Sequence, residues 1–161
     1  MTQASLFASL MAICAWLAIP MPPVTVTLQT FAVFLALGTL GGKWGSVSIA
    51  LYLLLGLVGL PVFAGFRSGA AAVLDITGGF LWGFGAAGIV YQLLEKLGKL
   101  PAMILSMAVC YGCGCWWFTV YAGNAGFGAA VLTCVVPYLI PDALKIGFAY
   151  TLSRRIGRYI T

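Results

Sequence analysis

Long apolar runs constrain this chain more than any motif does: residues 101–121 carry no charged side chain, and residues 27–60 carry only Lys43. With 63% of its 161 residues hydrophobic and 7% charged, the sequence holds far more apolar surface than a single soluble core of this length can hide. Lipid is the solvent such a chain expects. In hydrocarbon every backbone N–H and C=O needs a partner within the protein, which leaves helices or a closed barrel. The runs lack the alternation of strands, so the expected fold is an all-α integral membrane protein.

A hydrocarbon core of about 30 Å takes about 20 helical residues to cross, fewer where loops dip inward. Six spans are predicted on that basis, at residues 4–19, 27–40, 46–60, 77–97, 101–121 and 141–158. Pro20, Pro22 and Pro23 close the first, Gly41, Gly42 and Gly45 form the second turn, and Pro61 ends the third. Residues 127–140 are apolar enough to enter the membrane, yet Pro137 and Pro141 forbid one continuous helix, so a short re-entrant or interfacial piece is expected there. The N-terminus lacks the basic stretch of a cleavable signal, and the first helix is expected to stay. A single transmembrane domain covers residues 1–161.

The basic residues give sidedness. With the N-terminus in the cytoplasm, six alternating spans place Lys43, Lys96, Lys99, Arg154, Arg155 and Arg158 inside, Arg67 in an outer loop, and the C-terminus inside. A net charge of +5 does not indicate nucleic acid, because the cations are scattered between apolar spans with no basic cluster. Cys110, Cys113 and Cys115 have a metal-like spacing. With no histidine and only Asp75, Glu95 and Asp142 as acids, however, they read as packing residues and no metal is expected. There is no histidine base, no nucleophile elbow and no phosphate-binding loop, so neither an enzyme nor an ATPase is expected, and no cofactor.

Ionisable groups at membrane depth are rare and usually functional, which singles out Asp142 and Lys145 at the start of the last helix. Their i, i+3 spacing puts both on one face, and Pro141 suits a first turn. They are either a self-contained ion pair or the two ends of a site for a small acid that also carries amide-like N–H groups. The loop 61–76 brings Phe63, Phe66, Arg67 and Asp75 to the same side as a candidate lid, with Arg67 a second anion contact and Asp75 near a helix N-cap. Thr25, Thr27, Gln29 and Thr30 add hydroxyl and amide groups that face a pocket or bond between helices. Ala4, Ala8 and Ala12 form a small-residue stripe, suited either to docking a partner helix or to internal packing.

Several runs, in order, resemble one family: Thr27-Leu28-Gln29-Thr30, Leu60-Pro61-Val62-Phe63-Ala64-Gly65, Thr77-Gly78-Gly79-Phe80, and Pro137-Tyr138-Leu139 followed by Asp142 and Lys145. These are similar to BioY proteins, the substrate-binding (S) components of energy-coupling-factor (ECF) vitamin transporters, from about residue 23 to 155. The resemblance implies a six-helix S-component bundle in the bacterial inner membrane that captures biotin at its outer face. It also implies a transmembrane coupling protein and two ATPases as partners, with ATP used only by them. Asp142 is then expected at the ureido ring and Lys145 at the valerate carboxylate, with Arg67, Gln29, Thr30, Phe63 and Phe80 completing the substrate site. Ala4, Ala8 and Ala12 match the docking stripe. Thr25, Asp75-Ile76 and Ile140-Pro141 depart from the family pattern and bear on loop geometry. An S component for another small carboxylated vitamin or a biotin precursor is the near alternative. A structural or assembly subunit is the distant one, and a packed interior would favour it.

Overall fold

The computed structural model describes residues 2–19, 25–123 and 126–160, with side chains described to residue 157. Pro20, Pro22 and Pro23, expected to close the first span, and the Arg158 side chain lie outside the described residues. Helix α1 (Thr2–Trp16) leads into a two-residue ladder in which β1 (Ala18–Ile19) pairs antiparallel with β2 (Val26–Thr27). This ladder departs from the purely helical expectation and shortens the first predicted span. Helix α2 (Gln29–Leu57) follows, then a loop with a 3-10 turn at Ala64–Phe66, α3 (Gly69–Leu74), α4 (Gly78–Leu94), α5 (Lys99–Tyr121), α6 (Phe127–Cys134) and α7 (Leu139–Ile160).

Helix α2 is two limbs, because Gly41 adopts φ 79°, ψ 170° and breaks the helical path. Of the three glycines expected to form this turn, only Gly41 turns. Gly42 and Gly45 are helical and are small because neighbours press on them: a Cβ at Gly42 would stand 2.4 Å from Gln92 Cα, and one at Gly45 2.7 Å from Leu37 Cα. The break is capped on both sides. Glu95 Oε2 accepts from the Gly42 N–H at 2.7 Å, and Lys99 Nζ donates to the Gly38 carbonyl at 2.9 Å. An acid thus meets the N-terminus of one limb and a base the C-terminus of the other, as the helix dipole favours.

Within the expected loop 61–76 the chain forms helix α3, where Ala70, Ala71 and Ala72 are strong helix formers. Downstream, the predicted interruption is present: α6 ends at Cys134, Val135 leaves helical geometry, a 3-10 turn spans Val136–Tyr138, and α7 begins two residues before Pro141.

The core joins α1, both limbs of α2, α4, α5 and α7, with Met11, Phe34, Tyr52, Tyr91 and Met103 among its fully buried side chains. Ala4, Ala8 and Ala12 are 2%, 2% and 7% exposed, and α1 packs mainly against α2. Of the two uses open to the stripe, the described residues display internal packing: small side chains let α1 approach α2, and the outward face of α1 carries Leu6, Ser9 and Ile13. The outside is apolar nearly everywhere, with Trp82, Leu93, Trp116, Leu144 and the 68%-exposed Phe148 pointing away from the core. Gln29–Leu57, Lys99–Tyr121 and the stretch Phe127–Gly157 are long and apolar enough to cross a bilayer. Together with that surface, they make this a multi-pass membrane protein.

Candidate ligand-binding site

A cavity of about 770 Å³, its mouth included, lies between β2, the start of α2, the loop before α3, α4, α5 and the start of α7. All seven residues expected at the substrate line it: Gln29, Thr30, Phe63, Arg67, Phe80, Asp142 and Lys145. The packed interior that a purely structural subunit would show between α7 and the Arg67 loop is not what this region holds. The cavity sits at one end of the bundle. Lys99, Glu95 and the Gly41 break mark the other, since α7 runs from Asp142 at the cavity to Gly157 beside Lys99.

Asp142 and Lys145 are one turn apart on α7 and only 6% and 9% exposed. Lys145 Nζ donates to Asp142 Oδ1 at 2.7 Å. The second carboxylate oxygen is also engaged: Tyr111 Oη, from the middle of α5, donates to Asp142 Oδ2 at 2.6 Å. Each oxygen has a second lone pair, so the carboxylate can still accept from a ligand, and the ammonium has two further protons to give. Burial makes the pair interdependent, because removing either partner strands the other charge in a poorly hydrated wall. Nothing in the sequence singles out Tyr111. A tyrosine in an apolar helix carries no signal of its own, and it matters only because α5 passes α7 at the level of residue 142.

The rest of the wall is built by close packing. Phe63 fits over Gly56, where a Cβ would come within 2.1 Å of its ring, and it meets Tyr52 edge-on with centroids 5.6 Å apart. Phe80 lies against Gly114 in the same manner, a Cβ there falling 2.4 Å from its ring. These glycines on α2 and α5 set the depth to which two aromatic rings sink, leaving them as apolar walls. Gln29 opens α2 with its backbone N–H on Thr27 Oγ1 at 3.3 Å, and Thr27 is held in the β ladder opposite Ala18. The short ladder therefore fixes where the Gln29 side chain enters the cavity.

Arg67 is on the cavity wall but is engaged at its edge. It forms an ion pair with Asp75, donates from Nη2 to Thr77 Oγ1 at 3.0 Å, and donates from Nε to the Ala64 carbonyl at 3.3 Å. Asp75, expected near a helix N-cap, sits two residues before the N-cap Thr77 and spends its carboxylate on Arg67 and on the Ile76 N–H. The loop is tied on its other side to α1, where Trp16 Nε1 donates to the Pro61 carbonyl at 2.9 Å and stacks on Phe66 at 5.1 Å. Among the described residues no cluster of Cys, Asp and Glu suited to a metal is present. The cysteines stay free, with Cys110 and Cys134 buried at the cavity and Cys113 half-buried.

Such an arrangement can hold a molecule of moderate size with an apolar body, N–H donors for Asp142 and an anionic end for Lys145. Known proteins point the same way. All 161 residues match the family model described as BioY. The chain is 34% identical to the biotin transporter BioY of Thermotoga maritima, across 97% of this chain and 94% of that one. It is also 34% identical to a probable biotin transporter BioY of Pyrococcus horikoshii, across 94% and 92% respectively. Among solved structures, the S-component for biotin from an ECF-type ABC transporter superposes with a TM-score of 0.89 at 26% identity, covering 98% of this chain and 89% of that one. Matched along its whole length in sequence and nearly so in fold, the chain belongs to the BioY family.

Proposed function

We propose that this chain takes up biotin as the substrate-binding subunit of an ECF-type importer, capturing the vitamin from the outer side of the membrane. The observation that carries this reading is the Asp142–Lys145 pair, buried in the wall of a cavity and set in a BioY-family chain. Biotin supplies complementary chemistry. Its ureido N–H groups suit Asp142, its carboxylate suits Lys145, and its fused rings suit the apolar faces of Phe63 and Phe80. Arg67, Gln29 and Thr30 complete the proposed site.

The rest of the proposal follows from chemistry and charge. The chain forms a single transmembrane domain whose six spans are α1, the two limbs of α2, α4, α5 and α7, with α6 as a short interfacial piece. Both termini are cytoplasmic, supported by Lys43, Lys96, Lys99, Arg154 and Arg155, which belong to the end opposite the cavity. The membrane is the bacterial inner membrane. The chain binds rather than catalyses and uses no cofactor, and ATP hydrolysis belongs to two ATPase subunits joined to it through a transmembrane coupling protein. Titration of detergent-purified protein with biotin tests the reading: saturable binding supports it. Failure to bind micromolar biotin, with binding of a different carboxylated vitamin, would transfer the site to that ligand.

A further inference from the structure

Three helices carry the same amphiphilic row on their exposed faces. On α7, exposed Leu144, Phe148 and Leu152 share one face at helical spacing, and Arg155 ends the row. On the second limb of α2 the order is reversed, with Lys43 heading Val47, Leu51 and Leu54. On α4, Ile89 and Leu93 lead to Lys96 in the 3-10 turn that follows. All three cations are exposed, and their side chains form no ion pair or hydrogen bond among the described residues. The cationic ends of the rows meet. Lys43 adjoins Gly42, whose N–H is held by Glu95, the neighbour of Lys96. Lys99 bonds the Gly38 carbonyl across the Gly41 break and stands beside Gly157, two residues after Arg155. Arg154 lies over the Tyr150 ring, 5.6 Å from its centroid, on the same stretch of α7. Five cations thus face a single acid, Glu95, because Asp75 is paired with Arg67 and Asp142 lines the cavity.

We propose that this end of the bundle is a binding surface for anionic phospholipids, with phosphates at Lys43, Lys96 and Arg155 and acyl chains along the apolar rows. Like charges gathered without acids repel one another and draw anions. The anion that fits is an amphiphile, since a free phosphate would use the cation and leave the row uncovered, whereas a phospholipid uses both. A zwitterionic lipid is disfavoured because its own ammonium cancels the phosphate charge. Exposed Trp44, beside Lys43, marks the level at which headgroups lie, as tryptophan at a membrane interface does. The inference rests on the multi-pass fold and is independent of which ligand the cavity takes.

Association of spin-labelled phosphatidylglycerol and spin-labelled phosphatidylcholine with the purified chain is compared in phosphatidylcholine bilayers at low ionic strength. The anionic lipid is expected to be favoured about fivefold, the factor that one cation near a headgroup supplies, and the preference is expected to fade in high salt. Replacing Lys43, Lys96 and Arg155 together by Gln removes three unpaired charges, so the preference should fall toward parity while the melting temperature is kept. Each single Gln variant should remove part of it, and Arg155→Lys should retain it. Inorganic phosphate should displace the lipid no better than chloride at equal ionic strength. Equal association of the two lipids with unmutated protein, or a preference that survives the triple variant, would overturn the proposal. Displacement by phosphate beyond the effect of ionic strength would make this a site for soluble anions and overturn it too. Loss of the coupling protein from the triple variant, with no lipid preference in unmutated protein, would assign the end to a protein partner instead.

Discussion

Asp142 divides its two oxygens between Lys145 and Tyr111, so its orientation is fixed before any ligand arrives. Tyr111→Phe removes one of these donors without changing ring volume. A hydrogen bond to a charged group contributes about 1.5–3 kcal/mol, and the ligand's own N–H groups recover part of it, so biotin affinity is expected to fall about tenfold in a titration. The affinity ratio of biotin to its uncharged amide should stay put, because Tyr111 does not touch the anionic end; a change in that ratio would place Tyr111 elsewhere in the site. Asp142 and Lys145 were legible in the sequence because charge inside an apolar run is expensive enough to demand a reason. Tyr111 was not, since its role arises from a helix crossing and not from its neighbours in the chain. For Gln29, the sequence offered bonding between helices and pocket lining as equals. Its place in the cavity lining favours the second.

At the level of elements, glycine and alanine were the least readable residues, because one missing side chain serves two purposes. Gly41 is needed for its positive φ, whereas Gly42 and Gly45 are needed for space. Gly41→Ala places a Cβ in a positive-φ, extended-ψ region essentially confined to glycine, at a cost of about 1–3 kcal/mol, expected as a lower melting temperature with biotin affinity nearly unchanged, since the break is at the far end from the cavity. A matching loss of biotin affinity would show that the break and the cavity are mechanically linked. The alanine stripe is the second case. Buried against α2, Ala8 has no room for a large ring, so Ala8→Trp is expected to overpack the α1–α2 contact and lower both thermal stability and biotin binding. Full stability and binding, with uptake alone lost, would return the stripe to partner docking. The long helices and the interruption before α7 were visible as apolar runs and prolines. The β1–β2 ladder was not, because two residues a side are too few to show alternation.

Across the whole molecule, Lys43, Lys96, Lys99, Arg154 and Arg155 belong to one end of an apolar body and the cavity to the other. Sidedness is tested with Ala70→Cys on α3 and Lys96→Cys at the α4–α5 turn, both at exposed positions, against the background of the native cysteines. An impermeant thiol reagent applied to intact cells is expected to label position 70 and spare position 96; the reverse pattern would invert the topology. The proposed sidedness rests on the rule that lysine and arginine favour the cytoplasmic side, which a sequence can carry, while the cavity required the packed structure. The central claim is that the Asp142–Lys145 wall binds biotin through both its ring and its carboxylate, and it is met most directly by measuring biotin and biotin amide against the same purified protein. Saturable binding of both is expected, with the acid about ten- to a hundred-fold tighter, and Lys145→Met is expected to abolish this difference. Equal affinities for acid and amide in the unmutated protein would contradict it.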